Sequence, residues 1–157
     1  MNESSPPPGA APQPSGPSAE RGALLARRCI AGGALLLLLS VVLGAFGAHA
    51  LQSMLTPKQL ASYQTGVTYQ QLHALGLVVL GIVAQVTGRS AWLARGAVLF
   101  LAGTVFFSGS IYALAFGAPR WLGMVAPVGG LAFMAGWGCL ALHARRVLSP
   151  SLRAGRD

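Results

Sequence analysis

Residues 27–51 read RRCIAGGALLLLLSVVLGAFGAHAL. Two arginines, an apolar run and Ala48-His49-Ala50 spell either a secretory signal with an A-x-A cleavage site or the first of several membrane spans. The apolar run is nearer twenty residues than the roughly 7 to 15 of a signal core, and 28 residues precede it. The stretch therefore reads as a span, and the fold depends on how many more spans the chain contains.

Three further apolar segments lie at 66–87, 97–117 and 121–143. With 29–49 they make four runs of about 20 residues, each long enough at ~1.5 Å per residue to cross a hydrocarbon core of roughly 30 Å. A chain of 157 residues with 54% hydrophobic and 9% charged residues has a membrane composition. The expected fold is all-α, an antiparallel bundle of four transmembrane helices.

The net charge of +8 would suit a nucleic-acid surface if the cations lined one soluble face. They fall instead in the gaps between apolar runs, so no nucleic-acid partner is expected. If all four runs span, Arg21, Arg27, Arg28, Arg89, Arg95, Arg145, Arg146, Arg153 and Arg156 share one side and Lys58 and Arg120 the other. Nine against two places both termini in the cytoplasm by the positive-inside bias.

Around the spans, residues 1–28 read as a disordered tail. Its first 20 residues hold six of the ten prolines and too little apolar surface to offset ordering. Residues 29–146 form the bundle and 147–157 a basic cytoplasmic tail. Thr56-Pro57-Lys58-Gln59 is a capping-box pattern with proline at the first helical position, so a helix should start there, ahead of the membrane. Thr87-Gly88-Arg89 supplies a glycine stop, and Pro119-Arg120 a tight turn. Pro127, with Gly129 and Gly130, suggests a kink or a thin surface.

The three acidic residues, Glu3, Glu20 and Asp157, all lie outside the apolar body. Proton relays, cation sites and acid–base catalysis in membranes usually rely on carboxylates. The protein is accordingly expected not to be an enzyme, with no catalytic residue, metal or cofactor. Cys29 and Cys139 form no C-x-x-C pair. With His143 they could make a Cys2His cluster, but the simpler reading is apolar packing and a headgroup contact.

Helical spacing sorts the polar residues inside the spans. Thr104, Ser108 and Tyr112 recur every four residues and should share one inward face, as should Tyr69, Gln70 and His73. His73 and Tyr112 both lie about 8 to 9 Å below the outer ends at ~1.5 Å per residue, which would make them hydrogen-bond partners. His49 sits higher, within reach of Gln52, Tyr69 or Gln70. Together with Ser110 these residues form either a polar pocket or a set of satisfied interhelical hydrogen bonds. FSGS at 107–110 has no paired base and reads as packing. Gly44, Gly47, Gly129, Gly130 and Gly136 are the expected close-packing positions.

Four stretches carry a family resemblance: LGAFGAHAL (43–51), TGVTYQQLHALGL (65–77), GTVFFSGSIY (103–112) and PVGGLAFMAGW (127–137). In order and spacing they resemble the YgdD-like family of small bacterial inner-membrane proteins of unknown function, over about residues 30–145. One departure is Ala126, where the family pattern has threonine before PVGG. The resemblance implies four spans and brings no catalytic residues. It draws attention to His49, Tyr69, Gln70, His73, Ser108 and Ser110.

The function expected from the residues is that of a non-enzymatic bundle that binds a partner helix or membrane lipid through small-residue faces, as a homo-oligomer or with another membrane protein. The alternative is a small transporter or channel with its polar pocket in the outer half of the membrane.

Overall fold

A computed structural model describes residues 16–154, without side-chain placement at 17–19 and 148–154. Helix α1 spans Pro17–His49, α2 Pro57–Thr87, α3 Ala91–Gly103, α4 Gly109–Ala115 and α5 Val125–Ala154. A single wide π turn, Thr104–Ser108, joins α3 to α4, so the two act as one rod. Short 3₁₀ turns at Leu51–Ser53 and Arg120–Met124 lead into α2 and α5. Four helical stretches are long and apolar enough to cross a membrane: Glu20–His49, Pro57–Thr87, Ala91–Ala115 and Arg120–Val147.

Local chemistry sets the helix starts. The Thr56 hydroxyl accepts from the Gln59 N–H at 3.3 Å while the Gln59 side chain accepts from the Thr56 N–H at 3.0 Å. Pro57, with no N–H to satisfy, takes the first helical position. Helix α3 opens similarly, with the Ser90 hydroxyl accepting from the Leu93 N–H. Gly88, at φ 80°, lets the chain reverse between α2 and α3.

Two boundaries differ from the sequence reading. Helix α1 begins at Pro17, so the segment 17–28 is helical where disorder was expected; residues 1–15 lie outside the described residues. The reason is compositional: proline suits a first turn, and the alanines, leucines and arginines behind it are good helix formers. Ala26 on this extension joins the core beside Cys29. Likewise α5 runs to Ala154, through most of the expected basic tail, while 155–157 lie outside the described residues. Pro127 makes no mid-helix kink, because it sits in the first turn of α5, where its missing N–H costs nothing.

The four spans are not equivalent. Helix α2 packs on α1 along one side and on the α3–α4 rod along another, and α5 packs on that rod. Helix α1 packs along α2 and leaves Leu35, Leu38, Val41 and Val42 about three-fifths exposed. In a bilayer those leucines and valines contact lipid without penalty, so close fit and hydrogen bonds must hold α1 to α2. Glycine supplies the fit: a Cβ on Gly33 would lie 2.7 Å from the Ala74 carbonyl oxygen, and one on Gly81 2.9 Å from that of Ala26.

Candidate functional site

The interhelical hydrogen bonds fall at successive levels of the bundle. Near the end that carries Lys58, the buried Tyr63 hydroxyl donates to the Leu43 carbonyl at 3.0 Å, tying α2 to α1. Its ring packs on Tyr112 and Phe116 with centroids 5.2 and 6.3 Å away. Gly47 makes room, since a Cβ there would meet the Tyr63 ring at 2.8 Å. Gly44 faces Val67 at ordinary contact distance.

One level deeper, a relay crosses three spans. The Tyr112 hydroxyl donates to Gln70 Oε1 at 3.0 Å, and Gln70 Nε2 donates to the Leu36 carbonyl at 3.0 Å. Gln70 is 2% exposed. Beside it the buried Ser108 hydroxyl donates 2.8 Å to the Gly66 carbonyl. Gly66 permits this approach, because a Cβ there would press on the Tyr112 ring at 2.9 Å.

The π turn places these groups. An extra residue in the turn 104–108 breaks the four-residue repeat, so the expected common face of Thr104, Ser108 and Tyr112 divides. Ser108 and Tyr112 bond to α2, while Thr104 bonds back to the Phe100 carbonyl and Ser110 to that of Phe107.

His73 does not pair with Tyr112, whose hydroxyl is engaged by Gln70. Its Nδ1 lies 2.7 Å from the Tyr69 carbonyl. A carbonyl only accepts, so this nitrogen carries the proton, an assignment from the network that leaves Nε2 as the lone-pair nitrogen of the neutral ring. The ring stacks on Phe133, centroids 3.4 Å apart and nearly parallel, with Phe100 edge-on at 5.6 Å and Trp137 at 6.2 Å. Tyr69, 40% exposed, stacks on Phe107 at 4.5 Å. Depth counting failed here because it fixes height along a helix and says nothing about azimuth.

His49, the last residue of α1, is exposed, and no hydrogen bond joins it to Gln52, Tyr69 or Gln70. At the opposite end of the bundle His143 is buried. The Thr87 hydroxyl donates to the Val83 carbonyl and so accepts from His143 Nε2 at 3.0 Å. His143 is thus an interhelical donor rather than a headgroup contact. Cys29 and Cys139 are buried thiols.

The sequence reading missed an aromatic lock between α3 and α5. The Phe100 ring fills the notch of Gly136 and the Phe133 ring that of Gly103, while Gly129 admits the backbone of Phe107. A Cβ on Gly136 would stand 2.5 Å from the Phe100 ring, and one on Gly129 would overlap the Phe107 backbone. Gly130 is looser, with Phe107 at 3.9 Å. A signal for this lock exists in the sequence. Large, small, large at 100, 103 and 107 runs at spacings of three and four, and small, large, small at 129, 133 and 136 runs at four and three, the mirror order an antiparallel pair requires.

Among the described residues, no buried side-chain nitrogen or oxygen lacks a partner. Of the expected polar set, Gln70, His73, Thr104, Ser108, Ser110 and Tyr112 form hydrogen bonds with one another or with main-chain carbonyls, whereas the His49 and Tyr69 side chains form none among the described residues. A cleft of about 310 Å³ beside it, lined by Lys58, Gln59, Ser62, Thr65, Ile111, Leu114 and Ala115, contains none of the expected pocket residues.

Known proteins share this chain's sequence over most of their length. A family described as "Protein of unknown function (DUF423)" matches residues 43–130. A UPF0382 membrane protein of Staphylococcus haemolyticus is 47% identical over 106 residues, covering 67% of this chain and 84% of its own. A UPF0382 membrane protein of Staphylococcus saprophyticus is 43% identical over 106 residues, 67% of this chain and 86% of its own. The UPF0382 inner membrane protein YgdD of Escherichia coli is 40% identical over 107 residues, 68% of this chain and 81% of its own. No solved structure matches. With four membrane-length helices and relatives that each match over four-fifths of their length, the chain belongs to the DUF423 (UPF0382) family of integral membrane proteins.

Proposed function

We propose that the protein is a non-enzymatic bundle of the bacterial cytoplasmic (inner) membrane that associates with a second copy of itself through the outer face of α1 and α2. Both termini lie in the cytoplasm. The inner-membrane location follows the name of the E. coli relative, and the nine-to-two distribution of basic residues supports the orientation.

The observation that carries the association is Gln71. It is exposed midway along α2 and has no hydrogen-bond partner among the described residues. It lies in an open groove of about 360 Å³ with Leu37, Ser40, Val41, Thr68, Leu72 and Leu75. Ser40 is near the centre of the apolar part of α1, so the groove sits deep in hydrocarbon, where an unpaired amide is costly.

A second copy is the occupant because an amide both donates and accepts. Across a two-fold axis Gln71 can therefore pair with its own mate, the self-complementarity that an isologous interface requires. The small-residue faces expected to bind partners are engaged within the chain: Gly129 and Gly136 receive Phe107 and Phe100. The saturated interior likewise favours packing over a transport pathway, and the lack of carboxylates in the spans favours a non-enzymatic role.

Disulfide trapping in native membranes tests this reading. Val41→Cys, 63% exposed on the groove wall, is expected to oxidise to a covalent dimer, and Gln71→Leu in the same chain to reduce that dimer severalfold. A monomer by native mass spectrometry, with no trapped dimer, overturns it.

A further inference from the structure

At the end of the bundle opposite Lys58, three arginines converge on one pocket. Arg21 and Arg28 are seven residues apart on α1, two helical turns, and so lie on one face. Arg89 comes from the turn between α2 and α3. Gly22 sets the approach of the two elements: a Cβ there would stand 3.2 Å from the Arg89 backbone nitrogen and 3.6 Å from the Gly88 Cα. Between them is a pocket of about 250 Å³ lined by Arg21, Leu24, Leu25, Arg28 and Arg89.

The lining combines three cations with an apolar wall and has no counter-charge. Glu20, the single acidic side chain among the described residues, is exposed and does not line the pocket. Three guanidiniums repel one another and together present up to fifteen N–H donors, so the site is under-neutralised without an anion. Arginine matches phosphate oxygens in geometry as well as in charge. Leu24 is 46% exposed beside these cations, and the pocket lies at the membrane-surface end of two spans.

We propose that this pocket binds the phosphate of an anionic phospholipid headgroup, with Leu24 and Leu25 against the glycerol and upper acyl chain. Free phosphate shares the charge chemistry, but it would leave the leucine wall unused. The site has a structural role as well. Helix α1 is held to the rest of the molecule by α2, and a bound headgroup adds a bridge from α1 to the α2–α3 turn. Arg89 falls within the family-matched residues 43–130, whereas Arg21 and Arg28 lie before them, so the complete pocket depends on this chain's own N-terminal helix.

The test uses the full chain in dodecyl maltoside, with native mass spectrometry counting retained lipid. Dioleoyl phosphatidylglycerol, dioleoyl phosphatidylcholine and inorganic phosphate are added in separate arms. Phosphatidylglycerol should be retained and should raise the melting temperature; phosphatidylcholine should do neither. At about fivefold in affinity per arginine, Arg28→Gln with Arg89→Gln should weaken phosphatidylglycerol binding roughly 25-fold. Arg95→Gln with Arg146→Gln removes the same charge beside Trp92, which both arginines approach, and should change it less than threefold. If the double substitution at the pocket prevents folding, Arg89→Gln alone should still cost about fivefold. Equal losses in the two double variants would overturn the pocket in favour of diffuse surface attraction. Stabilisation by millimolar inorganic phosphate matching that by phosphatidylglycerol would overturn the lipid assignment.

Discussion

Glycine serves two seams of this molecule in different ways. Between α3 and α5 it makes notches that phenylalanine rings fill, and the contact is tight and apolar. Between α1 and α2, Gly33 and Gly81 bring main chain close to main chain, Gly47 alone seats a ring, that of Tyr63, and side-chain hydrogen bonds from Tyr63 and Gln70 to main-chain carbonyls accompany these contacts. The difference follows from the surroundings. The α3–α5 seam is backed by α2, so large rings can be enclosed there. Helix α1 packs along α2 and leaves much of its apolar surface exposed, so bulky apolar groups gain little by turning inward. Short contacts and directional bonds hold an outlying helix where hydrophobic burial cannot.

Substitutions at the two seams should separate these modes of packing, and the largest effect belongs to the aromatic lock. Gly136→Leu should cost about 3 kcal/mol, the upper end for overpacking, because a Cβ there already collides with Phe100 and the remaining side chain has nowhere to go. Unfolding by SDS titration, followed by tryptophan fluorescence, would report it. Adding Phe100→Ala should restore part of the loss; an unaltered double variant would mean the notch is not what matters.

The three-span relay comes next. Gln70→Leu strands the Tyr112 hydroxyl and the Leu36 carbonyl, a loss of about 1–2 kcal/mol in the same titration. A neutral outcome would make the α1–α2 seam a matter of shape alone. Ser108→Ala should cost less, roughly 0.6 kcal/mol, the typical value for one interhelical hydrogen bond in a membrane protein. Finally, His49→Ala should stay within about 0.5 kcal/mol of the parent, as for an exposed residue with no partner. A larger loss would return His49 to the polar set.

Features governed by near neighbours in the chain were legible beforehand. The Thr56–Gln59 cap is complete within four residues, and the four spans follow from run length. Helical period could say which polar residues share a face but not how deeply each lies: Gln70, His73, Ser108 and Ser110 are buried, whereas His49 and Tyr69 are exposed. Their pairings could not be read. Height along two helices does not say which residues look at each other, so His73 and Tyr112 at one depth find different partners. The π turn adds an unseen residue to the register and separates Thr104 from Ser108.

Apolar length and charge placement are read against the bilayer and need no knowledge of neighbours. The order of amino acids was therefore enough to specify a four-helix membrane protein with its arginines gathered toward one end. Packing between the helices had to decide which helix is peripheral, which glycine receives which ring, which polar groups close on one another and where three distant arginines meet. Those outcomes depend on rotation and proximity between helices. Lipid accepts any apolar face equally, so side-chain fit and unsatisfied polar groups were left to choose among the arrangements.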